Sequence, residues 1–184
     1  MSGTINRGVP KFLFVIILAL LAIMYIYAAF FDIAKPENTV NDFYTAYFNQ
    51  DYDTVAENLS VFWSVRFLPQ YSSLQPSELI ENRSDIERET SKVIAQIEEN
   101  NELPANLSIE VLKNYTRVGE NSALVVYNFN QDGKTIGIEA AILIEENDRL
   151  RIFNMAPISE EDLEEMQDYD ITLIDQSFQN LIES

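Results

Sequence analysis

From Phe12 to Phe31 the chain runs FLFVIILALLAIMYIYAAFF without one charged side chain, and its first acidic residue is Asp32. About 20 residues at ~1.5 Å per residue match a hydrocarbon layer ~30 Å thick. A helix inside a soluble domain is seldom apolar on every side over such a length. Cleaved secretory signals have shorter apolar cores, ~7–15 residues, followed by a small-x-small site. The nearest candidate here, Ala28-Ala29-Phe30, leads straight into Phe31. The reading is therefore a retained transmembrane helix over 12–33. Arg7 and Lys11 precede it and only Lys35 follows closely, which puts the tail 1–11 in the cytoplasm and the C-terminal part outside it.

Only two of the 12 basic residues lie before the uncharged run Phe12 to Phe31, whereas all 30 acidic residues follow it. So acidic a surface repels nucleic-acid phosphates and anionic headgroups, which excludes nucleic acid as the expected partner. The chain has no cysteine and no histidine. It therefore lacks disulfides, thiolate metal sites, the usual general base and the Ser-His-Asp triad. No cofactor, metal site or catalytic residue is read from it. The part beyond the anchor has the size of one domain.

Pro36 ends the span, and Val40, Phe43, Tyr44, Tyr47 and Phe48 then recur at helical spacing. Asn49-Gln50-Asp51 breaks that helix before a second one carrying Tyr52, Val55, Ala56 and Leu59. Ser84-Asp85-Ile86-Glu87 has the capping-box pattern and opens a third helix through Ile97. From Leu107 the period changes to two. Ala123, Val125, Tyr127 and Phe129 share a face, as do Ile136, Ile138, Ala140, Ile142 and Ile144. Asp132-Gly133 and Asn147-Asp148 are hairpin turns. Asn128 to Glu139 also has the spacing of an EF-hand loop, but with period-two flanks it reads as a hairpin. Residues 158–184 form an acidic extension. Its stripe of Ile171, Ile174, Phe178 and Leu181 is expected to dock on the same domain, with self-association as the alternative.

The order of helix, tight break, helix, helix and antiparallel sheet resembles the NTF2-like superfamily, whose domains are α+β cones. The likeness rests on Val40-Asn41-Asp42-Phe43-Tyr44-Thr45-Ala46-Tyr47 running into Asp51-Tyr52-Asp53-Thr54-Val55-Ala56, and on Ala123-Leu124-Val125-Val126 and Arg149-Leu150-Arg151-Ile152. Leu150 stands where the family often has an aromatic, and the extension lies beyond the usual end. The resemblance implies an α+β domain over 36–157, with about three helices packed on a curved antiparallel sheet of about four strands, and a pocket at its wide end. It further implies a bacterial, membrane-anchored member.

The functional expectation is a non-catalytic binding or assembly module of the cell envelope, anchored in the lipid bilayer through 12–33 and meeting an envelope protein. The runner-up is a small-molecule or peptide pocket lined by Tyr44, Tyr47, Trp63, Phe67 and Tyr71. Enzymes of this fold that abstract a proton beside a carbonyl use a carboxylate with tyrosine. That reading comes third, because the strand residues assigned inward are mostly aliphatic and no acidic residue stands clearly among them.

Overall fold

The computed structural model describes residues 17–22 and 35–182. Residues 17–22 are helical. The rest of the expected membrane span, its aromatic flank and the tail 1–11 lie outside the described residues. Among the described residues no helix is long and apolar enough to cross a membrane. From Lys35 onward the chain forms a unit of its own, with several helices and a curved five-stranded antiparallel sheet. This is the α+β architecture the periodicities predict.

Helix α1 spans Pro36–Phe48. Pro36 occupies the first turn, where a missing N–H costs nothing, and it holds Lys35 extended. Val40, Phe43 and Tyr44 form its buried face. The helix stops at Asn49, and Gln50 turns the chain with a left-handed φ of 57°. Asp51 then caps α2, Tyr52–Asn58, by accepting from the Thr54 N–H at 3.2 Å and the Thr54 hydroxyl at 2.7 Å. Ser60 caps the single turn α3, Val61–Ser64. Two 3₁₀ turns, Val65–Phe67 and Pro69–Tyr71, carry the chain to α4, Pro76–Glu81.

The long helix α5 covers Arg83–Glu98. Here the structure corrects the expected capping box. Ser84 lies inside the helix, which begins one residue earlier, and Glu87 is taken by the Arg83 guanidinium at 2.8 Å. A carboxylate does reach back to a helix start at α4 instead, where Glu78 accepts from the Gln75 N–H at 2.8 Å.

The strands are β1 Leu107–Val111, β2 Arg117–Val118, β3 Ser122–Gln131, β4 Lys134–Glu146 and β5 Arg149–Ile158. They run antiparallel in the order β1-β3-β4-β5, with β2 also on β3. Both hairpin turns have two residues at positive φ: 51° and 73° at Asp132-Gly133, 52° and 60° at Asn147-Asp148. That is the mirror-image turn whose twist matches the strands it joins. The EF-hand spacing is thus a hairpin.

Two bulges interrupt the ladders. In the first, Asn130 pairs with Thr135 but Phe129 pairs with Gly137, so Ile136 is the extra residue. In the second, Ile142 pairs with Asn154 and Leu143 with Ile152, leaving Phe153 extra. Each bulge moves the following residues by one position and so exchanges the faces they occupy.

One sheet face packs Ala123, Val125, Tyr127, Ala141, Leu143 and Ile152 against Val40, Phe43, Tyr44, Val55 and Leu59 of the helices. Each fully buried aliphatic side chain there contributes about 1.5–3 kcal/mol. Ser60 N–H donates to Ile152 C=O at 2.9 Å and ties the corner after α2 to the sheet edge.

The C-terminal segment docks in cis. Helices α6, Leu163–Gln167, and α7, Thr172–Ile182, follow β5. Leu163, Met166, Tyr169 and Ile171 pack on Leu124, Val126 and Ala140 of the opposite sheet face. Phe178 joins a second core with Phe62, Leu79, Ile86 and Ile144. Both faces of the sheet are therefore packed over their central part, while Ile136 and Val118 stay exposed.

Candidate functional site

The residues that α1, α2, α3 and α5 turn toward the sheet do not fill the space they enclose. A cavity of about 400 Å³ remains, lined by Phe43, Tyr44, Tyr47, Val55, Leu59, Trp63, Phe67, Ile94, Ile97, Glu98, Phe129 and Met155. Four of the five candidate residues, Tyr44, Tyr47, Trp63 and Phe67, meet there. Tyr71 does not. It lies on the second 3₁₀ turn, packs against the core around Phe62 and Leu79, and its hydroxyl donates to Glu89 at 3.2 Å. Pro69 causes the departure: it starts a new turn that carries Tyr71 away from Trp63 and Phe67.

The walls are aromatic by construction. Phe43 and Tyr47, one helical turn apart, stack with their ring planes at 4° and centroids 6.3 Å apart. Trp63 and Phe67 form a tilted pair with centroids 4.9 Å apart. Phe67 and Ile97 stay substantially exposed and mark the mouth. Glu98 is the one charged residue among the lining. Its carboxylate accepts from the Tyr47 hydroxyl at 2.9 Å and from the Asn101 side-chain amide at 2.7 Å. Burial, together with this hydrogen bond and the Glu98 charge, pushes the Tyr47 hydroxyl up to about 12. Tyr47 therefore serves as a donor at neutral pH.

Beneath the wall lies a polar cluster that the inward aliphatic assignment excludes. The hydroxyls of Tyr44 and Tyr127 both donate to Glu139 Oε2, at 2.8 and 2.9 Å, and stand 2.9 Å from each other. Glu139 is opposite Tyr127 in the ladder, and cross-strand partners point to the same side of a sheet. Counting back from the Asp132-Gly133 turn without a bulge would set Ile138 opposite Tyr127 and turn Glu139 outward. The extra residue Ile136 reverses this. The even-numbered set Ile138, Ala140 and Ile142 faces the C-terminal segment, not the helices.

Burial is the main reason that both the Tyr44 and Tyr127 hydroxyls are raised well above the ordinary tyrosine value, and Glu139 adds to it. Both stay protonated and hold the carboxylate between them. Of the three residues only Tyr44 reaches the cavity wall. We expect Glu139→Leu to destabilise the fold by about 1–3 kcal/mol, because it strands a buried hydroxyl, and Glu139→Gln to cost less than about 1 kcal/mol. Urea midpoints of the two variants check this.

Sequence periodicity also left Glu98, Phe129, Ile94 and Met155 unassigned to a site, since each reads as ordinary helix or strand packing. The spacing of Glu98 four residues from Ile94 on one helix was the only available signal.

A second, charged cleft lies along α2, α5 and β5. There Arg149 pairs with Glu57 at 2.5 Å and Arg83 with Glu87 at 2.8 Å, so charges on both sides are matched. In comparisons with known proteins the chain matches no family model, no curated protein and no solved structure.

Proposed function

We propose that this chain is a non-catalytic binding module whose α+β domain, NTF2-like in its element order, holds an apolar ligand in the aromatic cavity. In this reading residues 12–33 anchor it in a bilayer and the domain works outside the cytoplasm, in the cell envelope. The observation that carries the binding role is the open cavity, about 400 Å³ walled almost entirely by apolar and aromatic side chains. That volume lies within the range of sites that enclose small ligands.

A protein partner on the sheet, the leading expectation, has less surface open to it, because Leu163, Met166, Tyr169 and Ile171 pack over Leu124, Val126 and Ala140. A partner would have the cavity rim, Phe67 and Ile97. Catalysis draws little support. The Tyr44, Tyr127 and Glu139 groups satisfy one another, and the carboxylate is not part of the cavity lining.

Trp63 is the only tryptophan in the chain and stands in the wall, so its emission reports occupancy. We expect a neutral apolar probe, N-phenyl-1-naphthylamine, to quench Trp63 saturably by energy transfer. The Ile94→Arg chain, whose guanidinium sets a charge in the largely apolar wall, supplies the background from the anchor and its lipid. Equal quenching in both chains would refute a binding cavity.

A further inference from the structure

The lining also carries information about the charge of the occupant. Glu98 sits beside the rings of Tyr47 and the cavity mouth, with no lysine or arginine in the lining to neutralise it. Its two oxygens each accept one hydrogen bond, Oε1 from Tyr47 and Oε2 from Asn101. These bonds fix the carboxylate's orientation and leave further lone pairs on each oxygen. Neither donor is charged, so the negative charge at the mouth is held in place but not cancelled.

Around it stand aromatic faces. Tyr47 and Phe43 stack on each other in the lining, and Trp63 and Phe67 form a second pair there. Ring faces carry the negative end of the aromatic quadrupole, and indole is the strongest of them toward a cation. The inner wall is different in kind: Val55, Leu59 and Met155 offer only apolar contact. The whole chain, at a net charge of −18, adds a field that draws cations and repels anions.

Resting on the binding role proposed above, we infer that the cavity selects an organic cation with an apolar body: an ammonium group held between Glu98 and the rings of Tyr47 and Trp63, with its hydrocarbon part toward Leu59 and Met155. A fatty or aromatic carboxylate of the same size is excluded by the same charge. The neutral apolar compounds that share the body enter but bind more weakly.

The test compares benzyltrimethylammonium with neopentylbenzene, its neutral isostere with carbon in place of nitrogen. Both are titrated into the full chain with Trp63 emission as the readout and the Ile94→Arg chain as background. The expected result is that the cation binds about tenfold or more tighter than the isostere. Glu98→Gln, which keeps an acceptor for the Tyr47 hydroxyl, should erase most of that preference while leaving the isostere's affinity unchanged. Equal affinity of the two compounds, or tighter binding of the isostere, overturns the cation selectivity and leaves the apolar cavity standing. A preference that survives Glu98→Gln overturns the role of Glu98. Absence of binding by either compound overturns the cavity's binding role itself, and this inference falls with it.

Discussion

Replacing Arg83 with methionine is expected to lower the unfolding free energy by about 3–5 kcal/mol, the usual consequence of removing one partner from a buried ion pair. Glu146 is 2% exposed and Arg83 7%. The guanidinium donates to Glu146 Oε2 and to the Leu59 carbonyl at 2.9 Å, and it pairs with Glu87 at 2.8 Å. The Ser60 hydroxyl donates to Glu146 Oε1 at 2.5 Å. One charge pair thus fastens the start of α5, the corner between α2 and α3, and the end of β4.

The loss should also become pH-dependent. Burial raises the Glu146 carboxyl above its ordinary value of 4.5, while Ser60 and Arg83 oppose the rise. Without Arg83 the folded value moves further above the unfolded one. A carboxyl raised on folding contributes stability that is present below its unfolded value and is lost as pH rises through its folded value. The Arg83→Met chain should therefore be weaker at pH 8 than at pH 5, by denaturant titration at both. Adding Glu146→Leu should recover part of the loss, since no buried charge then remains at that position. A pH-independent loss of under 1 kcal/mol would show that the pair bears little of the fold.

The second large effect is expected at Gly119→Ala. A Cβ at this position would lie 2.4 Å from Asp175 Oδ2. Asp175 accepts from the N–H groups of Glu120 and Asn121, at 2.9 and 3.0 Å, and from the Ser122 hydroxyl at 2.7 Å. The carboxylate must leave those donors or the turn must deform. We expect a cost of about 2–3 kcal/mol, with α7 loosened selectively. Limited proteolysis should cut between α6 and α7 in this variant well before the sheet core opens, and Asp175→Ala should behave alike.

Acid gives the same release. Burial alone would raise the Asp175 carboxyl, but the Ser122 hydroxyl and the backbone N–H groups of Glu120 and Asn121 outweigh it and hold it below its ordinary 3.8. A depressed carboxyl stabilises above its unfolded value, so the contribution is complete above about pH 4 and is lost as pH falls through the folded value. Hydrogen exchange of α7 amides across that range measures it.

The periodic parts of this fold were open to reading from the chain. The 3,4-spaced apolar residues from Val40 to Phe48 marked α1, the alternation from Ala123 to Phe129 marked β3, and Asp132-Gly133 and Asn147-Asp148 marked both hairpin turns. Four of the five candidate aromatics do converge, because each belongs to the apolar face of its own helix or turn. The inward face of β4 was not legible. With both sheet faces buried, apolar residues at odd and even positions look alike, and a one-residue bulge at Ile136 decides between them. Nor was the partner of Asp175, more than 50 residues distant, marked by any local pattern.

What the sequence determined by itself is set by short-range physics: helical and strand periods, turn chemistry, an uncharged run of membrane-spanning length, and a strongly negative charge. The tertiary structure alone decided which carboxylates face inward and which tyrosine leaves the cavity. It also decided that Leu163, Met166, Tyr169 and Ile171 pack on the outer face of the sheet while Phe178 enters the second core. Those outcomes depend on register and on contacts between residues far apart in the chain, where a shift of one position exchanges the inside of the sheet for the outside.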